Sequence, residues 1–174
     1  MNVLIRPIEP GDNKELALVI RETLTEFGAN RPGTAFYDES TDMLYGTFQL
    51  PRSAYFVAVN EGTILGGGGI YPTAGLPVDT CELVKMYLRP AGRGLGIGRK
   101  LIETCLQYAW EAAYEQVYLE SMPELRTALS IYEKFGFDYL AGPMGNTGHT
   151  GCSLWMLKKA TPVTQLSASP HTPG

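Results

Sequence analysis

The chain has 174 residues, 44% of them hydrophobic, which suffices for one compact domain with a real core and is too short for two comfortable ones. Its net charge of −4, from 14 basic and 18 acidic residues, argues against a surface devoted to nucleic acid. Three cysteines without C-x-x-C spacing indicate neither a disulfide framework nor a metal site, and no stretch approaches the roughly 18 apolar residues of a membrane span.

Residues 3–8 alternate β-formers, and a Pro-Gly-Asp stop follows, after which Asp12 is placed to cap a helix carrying Leu16, Val19, Ile20, Leu24 and Phe27. The opening, Asn2-Val3-Leu4-Ile5-Arg6, has no signal-like apolar run, so a cytoplasmic, reducing location is expected. Residues 28–34 read as a loop. Residues 38–48 read as a second short helix or turn, with Met43, Leu44 and Phe48 inward and Asp38, Glu39 and Asp42 in solvent.

Residues 54–60 and 63–71, joined by Glu61-Gly62, predict a β-hairpin. Four consecutive glycines, 66–69, sit inside its second strand. Such a run weakens a strand, and its usual causes are a bulge or a close backbone approach, here read as packing in preference to a ligand.

A strand over 81–88 then leads through a glycine-rich turn into a helix over roughly 96–113, with Leu101, Ile102, Cys105, Leu106 and Ala109 as its buried stripe. Gly94, Gly96 and Gly98 alternate with Leu95 and Ile97, so several backbone N–H groups can turn inward with no Cβ in the way. The helix adds its positive N-terminal end, and Arg93, Arg99 and Lys100 add cations. A pyrophosphate suits those donors. A strand over 117–121, a helix over 127–135 ending at Gly136, and strands over 137–141 and 152–158 complete the sheet. The segment 142–151 between the last two is glycine-rich and read as flexible, and residues 161–174, rich in Pro, Ser and Thr, as a disordered tail after a domain of residues 1–160.

Spacing discriminates among the glycine-loop chemistries. Arg99 stands where a dinucleotide fingerprint needs its third glycine, and the chain has no Gly-Lys pair for a Walker loop. The remaining pattern, R-x-x-G-x-G over residues 93–98, resembles the acyl-CoA pyrophosphate loop of the GNAT superfamily of N-acyltransferases. The preceding Met86-Tyr87-Leu88-Arg89-Pro90 is similar to that family's strand, and Tyr132-x-x-x-Gly136-Phe137 to its later signature.

The resemblance implies a single α/β (α+β) domain with a mixed, mostly antiparallel sheet and helices on both faces. It further implies an N-acetyltransferase moving an acetyl group from acetyl-CoA to a primary amine of a small molecule or a protein, with no metal, nucleic acid or membrane involved. The alternative is a catalytically silent acyl-CoA-binding module, and the oligomeric state stays open, a homodimer included. In that family the strands flanking the loop and its helix splay apart. The main chain of Met86, Tyr87 and Leu88 then bonds the pantetheine arm, while Arg93, Gly94, Leu95, Gly96, Ile97, Gly98 and Arg99 hold the pyrophosphate. The family often carries an asparagine seven residues before the tyrosine; this chain has Leu125.

Acyl transfer to an amine needs a neutral amine, a polarised carbonyl and a proton for the departing thiolate. A phenol with a reference pKa of about 10 can protonate a thiolate whose thiol lies near about 8.5, so Tyr132 is the candidate acid, against a packing role beside Phe135 and Phe137. Glu82, eleven residues before Arg93, is the candidate base, at an offset where histone-type members carry a glutamate. Near its ordinary pKa of about 4.3 a carboxylate is a weak base, so burial or a water relay is required. A salt bridge with Lys85 or a solvent-facing strand end is the equal alternative. Glu120 and His149 are second choices, a loop histidine being ordinarily just solvated.

Overall fold

The computed structural model describes residues 1–161. The expected tail therefore lies, but for Thr161, outside the described residues. Strand β1 (Val3–Pro7) is followed by a 3-10 turn at Pro10–Asp12 and helix α1 (Asn13–Glu26). Asp12 does not cap α1 with its side chain, as the sequence implied. Its carboxylate instead accepts from the Glu9 N–H at 2.7 Å and from both terminal nitrogens of Arg6 at 2.8 and 3.0 Å, closing the turn ahead of the helix. Leu16, Val19, Ile20 and Leu24 are buried on one face of α1, whereas Phe27, expected in that stripe, falls past the helix end and is 37% exposed.

Two short 3-10 turns and the single-turn helix α2 (Leu44–Thr47) follow. Leu44 and Phe48 point inward as expected, but Met43 is exposed. Asp38 is not a solvated acid either: it is ion-paired to Lys85 at 2.9 Å.

Strands β2 (Ala54–Asn60), β3 (Thr63–Tyr71) and β4 (Thr80–Leu88) pair antiparallel, and β4 feeds helix α3 (Ile97–Glu111). Then come β5 (Gln116–Ser121), α4 (Arg126–Lys134), the two-residue β6 (Asp138–Tyr139) and β7 (Leu154–Lys159), in the sheet order β1-β2-β3-β4-β5-β7-β6. The last strand thus inserts between β5 and β6. Only β4 and β5 run parallel, so the sheet is mixed and mostly antiparallel.

The glycine run in β3 is explained by packing. A Cβ on Gly67 would lie 2.6 Å from a Tyr55 ring carbon and one on Gly68 2.2 Å from the Met86 methyl, so neighbouring side chains already fill the space. Opposite Gly68 the β4 strand holds two residues, Lys85 and Met86, which makes a bulge. Lys85 takes φ +50°, a conformation that costs a non-glycine residue on the order of 1–2 kcal/mol and is held here by the Tyr55 hydroxyl donating to its carbonyl at 2.8 Å.

Helices cover both faces. Ile102, Cys105 and Leu106 of α3 and Leu129 of α4 pack with Cys81, Leu83, Val117, Leu119 and Met156 on one side. The buried stripe of α1 packs with Leu44, Phe48, Tyr55, Val57 and Met122 on the other. Each fully buried Leu or Ile contributes about 1.5–3 kcal/mol, enough to fix which face each helix covers.

Candidate active site

Parallel pairing of β4 with β5 is confined to Thr80–Gln116, Cys81–Val117 and Glu82–Tyr118, although β4 continues to Leu88. Beyond Glu82 the strands part. The gap opens a largely apolar cleft of about 430 Å³, walled by Met86, Tyr87 and Leu88 of β4, by Thr23 and Phe27 at the end of α1, by Gly98 and Ile102 of α3, and by residues 124–128, Ile131 and Tyr132.

Of the residues expected to hold a cofactor, Met86, Tyr87, Leu88, Arg93 and Gly98 line this cleft together with Tyr132. Gly94 and Gly96 adopt φ +74° and +75°, and a Cβ on either would meet nothing within 4 Å, so the turn is open on its outer side. Gly96 N-caps α3 in the left-handed conformation. Leu95 is exposed, and Ile97 is buried against Leu101, Ala58 and Leu65, so only the main chain of this pair can meet a ligand. Arg99 is turned toward Glu103, 3.8 Å away, and the ring of Phe135. Arg93 is not a free cation: it is forked onto Glu26, lies over the Phe27 ring and donates to the Leu88 carbonyl at 3.1 Å.

Tyr132 is 6% exposed and meets Phe137 edge to face at 5.8 Å. It is therefore both a packed aromatic and a wall of the cleft. Burial pushes its phenol well above the ordinary range, so it stays protonated at neutral pH.

Glu82 lies in a second, smaller space of about 40 Å³ on the other side of Tyr87 and Leu125, room for a water or two. The two sequence-based alternatives for Glu82 do not hold, because it is 3% exposed and Lys85 is taken by Asp38. Its carboxylate accepts from the Thr73 hydroxyl at 2.6 Å. Burial raises the Glu82 carboxyl to about 7, the Thr73 bond offsetting only part of that rise.

Glu120 and His149 share this cavity. Far from being solvated, the His149 ring is 14% exposed; its Nε2 lies 2.6 Å from Asp38 Oδ2 and its Nδ1 3.8 Å from Glu120 Oε1. Burial works against the imidazolium, but the Asp38 hydrogen bond and charge outweigh it and raise His149 above its usual value. Burial likewise pushes Asp38 up, yet His149 and Lys85 together bring it down to about 2. Glu120 accepts from the Tyr118 hydroxyl at 2.7 Å and from that of Thr147. Glu82, Glu120 and His149 offer atoms within 4.8 Å of one another, a spacing a cation could use, although protein donors already reach both carboxylates.

The 142–151 segment, read from the sequence as flexible, is tied down over this cavity. Besides the Thr147 and His149 contacts, the Met144 N–H donates to the Tyr118 hydroxyl and the Gly151 N–H to the Gly33 carbonyl. Sequence reasoning missed Asp38, Thr73 and Glu26 at the two sites. The Tyr37-Asp38-Glu39 run carried no signal to separate it from an ordinary solvated turn.

A glycine turn and helix start at one mouth of an opened sheet, with buried proton-handling groups at the other, make the build of a group-transfer enzyme. The family model described as acetyltransferase (GNAT) family matches residues 19–137. The uncharacterized N-acetyltransferase YjgM of Escherichia coli is 38% identical over 157 residues, covering 90% of this chain and 94% of its own length. An IAA acetyltransferase of Azospirillum brasilense is 32% identical over 131 residues, 72% of this chain and 81% of its own. Among solved structures, a GNAT-family acetyltransferase from Staphylococcus aureus Mu50 superposes with a TM-score of 0.80 at 18% identity, covering 91% of this chain and 99% of its own. PaiA N-acetyltransferase from Thermoplasma acidophilum, in complex with coenzyme A, does so with a TM-score of 0.71 at 19% identity, over 92% and 100%. The chain belongs to the acetyltransferase (GNAT) family. It is an N-acetyltransferase, and the alternative of a silent binding module is set aside. No described helix is long and apolar enough to cross a membrane.

Proposed function

We propose that the large cleft binds acetyl-CoA and the small cavity receives the nitrogen of a primary amine, so that the acetyl group passes directly between them at the wall formed by Tyr87 and Leu125. The observation that carries this reading is that wall: the two spaces share those two residues and lie where β4 and β5 separate. The cleft suits the donor. It is apolar enough for a pantetheine arm, the main chain of Met86 to Leu88 has no β5 partner and can bond that arm as a missing strand would, and the open turn at Gly94 and Gly96 presents N–H groups to a pyrophosphate.

Bound acetyl-CoA supplies an activated acyl carbon and a thiolate leaving group. The protein handles the protons. An amine arrives as its ammonium, and Glu82, with its carboxyl near 7, is a far better acceptor for that proton than an exposed carboxylate. Tyr132, protonated and facing the cleft, donates to the departing sulfur. A backbone N–H near Met86 polarises the carbonyl, and Arg93 and Arg99 add charge beside the phosphates once these displace Glu26 and Glu103 from them. The small cavity admits an amine end and little more, which favours slender acceptors, whether small amines or a protein's amino group reaching in. Three cysteines, none in a disulfide, fit the cytoplasmic placement that belongs to this proposal.

The test pairs binding with turnover. Acetyl-CoA should raise the melting temperature of wild type and of Glu82→Gln alike, while thiol release across a panel of primary amines should occur in wild type and fall by about 10² or more in Glu82→Gln. Wild-type release rates in the variant would overturn the assignment of the small cavity as the acceptor site.

A further inference from the structure

The geometry points to His149 as the group that takes the acceptor's proton onward from Glu82, with Asp38 as the residue that positions it. This rests on the acceptor reading of the small cavity. It starts from an arrangement that reading leaves unused: a buried histidine on the connection between β6 and β7, clamped by a carboxylate 111 residues away in sequence.

Asp38 Oδ2 sits between the His149 ring and the Lys85 ammonium, 2.6 Å from His149 Nε2 and 2.9 Å from Lys85 Nζ. An Nε2–H donated to Asp38 leaves Nδ1 as the lone-pair nitrogen, 3.8 Å from Glu120 Oε1, on a ring that lines the cavity and offers a nitrogen within 4.8 Å of the Glu82 carboxylate. One water between Glu82 and the imidazole fits the cavity and a spacing within 4.8 Å.

The proton balance is simple. The ammonium gives its proton to Glu82, leaving a neutral amine and a carboxylic acid. Through that water the acid passes the proton to Nδ1, which restores the carboxylate and makes an imidazolium whose charge Asp38 stabilises. When the product leaves, Nδ1 returns the proton to cavity water. His149 thus acts through Glu82 and does not itself touch the amine. Burial raises the Glu82 carboxyl to about 7, and Asp38 raises the imidazole above its ordinary value against the opposing effect of burial, so both groups are tuned toward accepting a proton. The charged and titratable groups facing His149 are Asp38, Glu82, Lys85 and Glu120, with the Cys152 thiol pushed up to about 12 by burial and therefore neutral.

The chain has two histidines, so His171→Gln leaves His149 as the single imidazole in a carbon–proton correlation spectrum. In that background Glu82→Gln should lower the His149 pKa by about half a pH unit or more, and Asp38→Asn should lower it as well. An unmoved His149 titration in Glu82→Gln would show that the pair is uncoupled and end the proposal. Coupling alone could be mere proximity, so the second readout is thiol release with the best amine of the panel. Here His149→Gly should lose about tenfold or more in kcat with KM for acetyl-CoA retained. Added imidazoles should restore rate, in proportion to their basicity. Rescue independent of basicity, or undiminished kcat, would make His149 a structural clamp and overturn the relay while leaving the acceptor site standing. Absence of amine-dependent release in wild type would overturn both.

Discussion

Arg93 meets Glu26 through two parallel hydrogen bonds of 2.8 and 2.7 Å, so the cation nearest the glycine turn is neutralised by the last residue of α1. At the proposed cofactor site a pyrophosphate and the Glu26 carboxylate would therefore compete for one guanidinium. The pairing is exposed and holds the Glu26 carboxyl only below its usual range, so a ligand with more charge can displace it.

The expected outcome is opposite effects at the two ends of the pair. Glu26→Gln should tighten acetyl-CoA binding, by less than about tenfold given the exposure of the pair. Arg93→Ala should weaken it. Calorimetric dissociation constants for the three proteins check this, and an unchanged Kd in Glu26→Gln would show that Glu26 does not compete.

Gly96 offers a cleaner test of the loop. Its Cβ position is open but its φ is +75°, so Gly96→Ala carries only the left-handed penalty of about 1–2 kcal/mol. Gly96→Asp adds a carboxylate where the phosphates would lie. Both variants should fold, with Gly96→Ala retaining thermal stabilisation by acetyl-CoA and Gly96→Asp losing it; equal stabilisation in the two would remove the pyrophosphate from this turn.

Tyr132→Phe keeps the ring against Phe137 and deletes one oxygen. The melting temperature and the Kd for acetyl-CoA should hold, while kcat falls by roughly 10² to 10⁴ if proton donation limits turnover. Steady-state kinetics decide, and a wild-type kcat where chemistry limits the rate would reduce Tyr132 to a core aromatic.

Glu82 should set stability and activity against each other. Its folded carboxyl, raised to about 7 against 4.5 when unfolded, holds a proton that the unfolded chain gives up. Stability is therefore highest below pH 4.5 as far as this group is concerned, declines from there to about 7, and stays low above, by up to about 3 kcal/mol. Activity should run the other way, rising as the carboxylate forms. Glu82→Gln should melt higher than wild type at pH 8, with little difference at pH 4.5, and should lack the acid limb of the rate profile. Denaturant titrations at the two pH values check the first; a wild-type advantage at pH 8 would refute it.

What was legible in the sequence was whatever a short window encodes. Period-two and helical spacing placed the elements, and the alternation of Gly94, Gly96 and Gly98 marked the turn because open, left-handed backbone is a local requirement. The partners of the functional side chains were not local. Glu26 lies 67 residues from Arg93, and Asp38 lies 47 from Lys85 and 111 from His149. Each reads alone as one more surface acid, and only the fold brings them to a cation. The sheet order fails for a related reason: β6 and β7 are consecutive, so nothing in either shows that β7 pairs with β5 as well as with β6.

Strand pairing between β1–β4 and β5–β7 is confined to a seam of three positions, Thr80 to Glu82, and the α3 and α4 core packs on strands of both groups. A donor laid along the gap beyond Glu82, as proposed, would splint the stretch where the two groups share no strand pairing. The protein would then be stiffest when loaded and most compliant just after its products depart. Amide exchange along the seam, and cleavage by an added protease, should be fastest in that empty interval, so in a cell the supply of acetyl donor would govern how long the protein lasts as well as how fast it works.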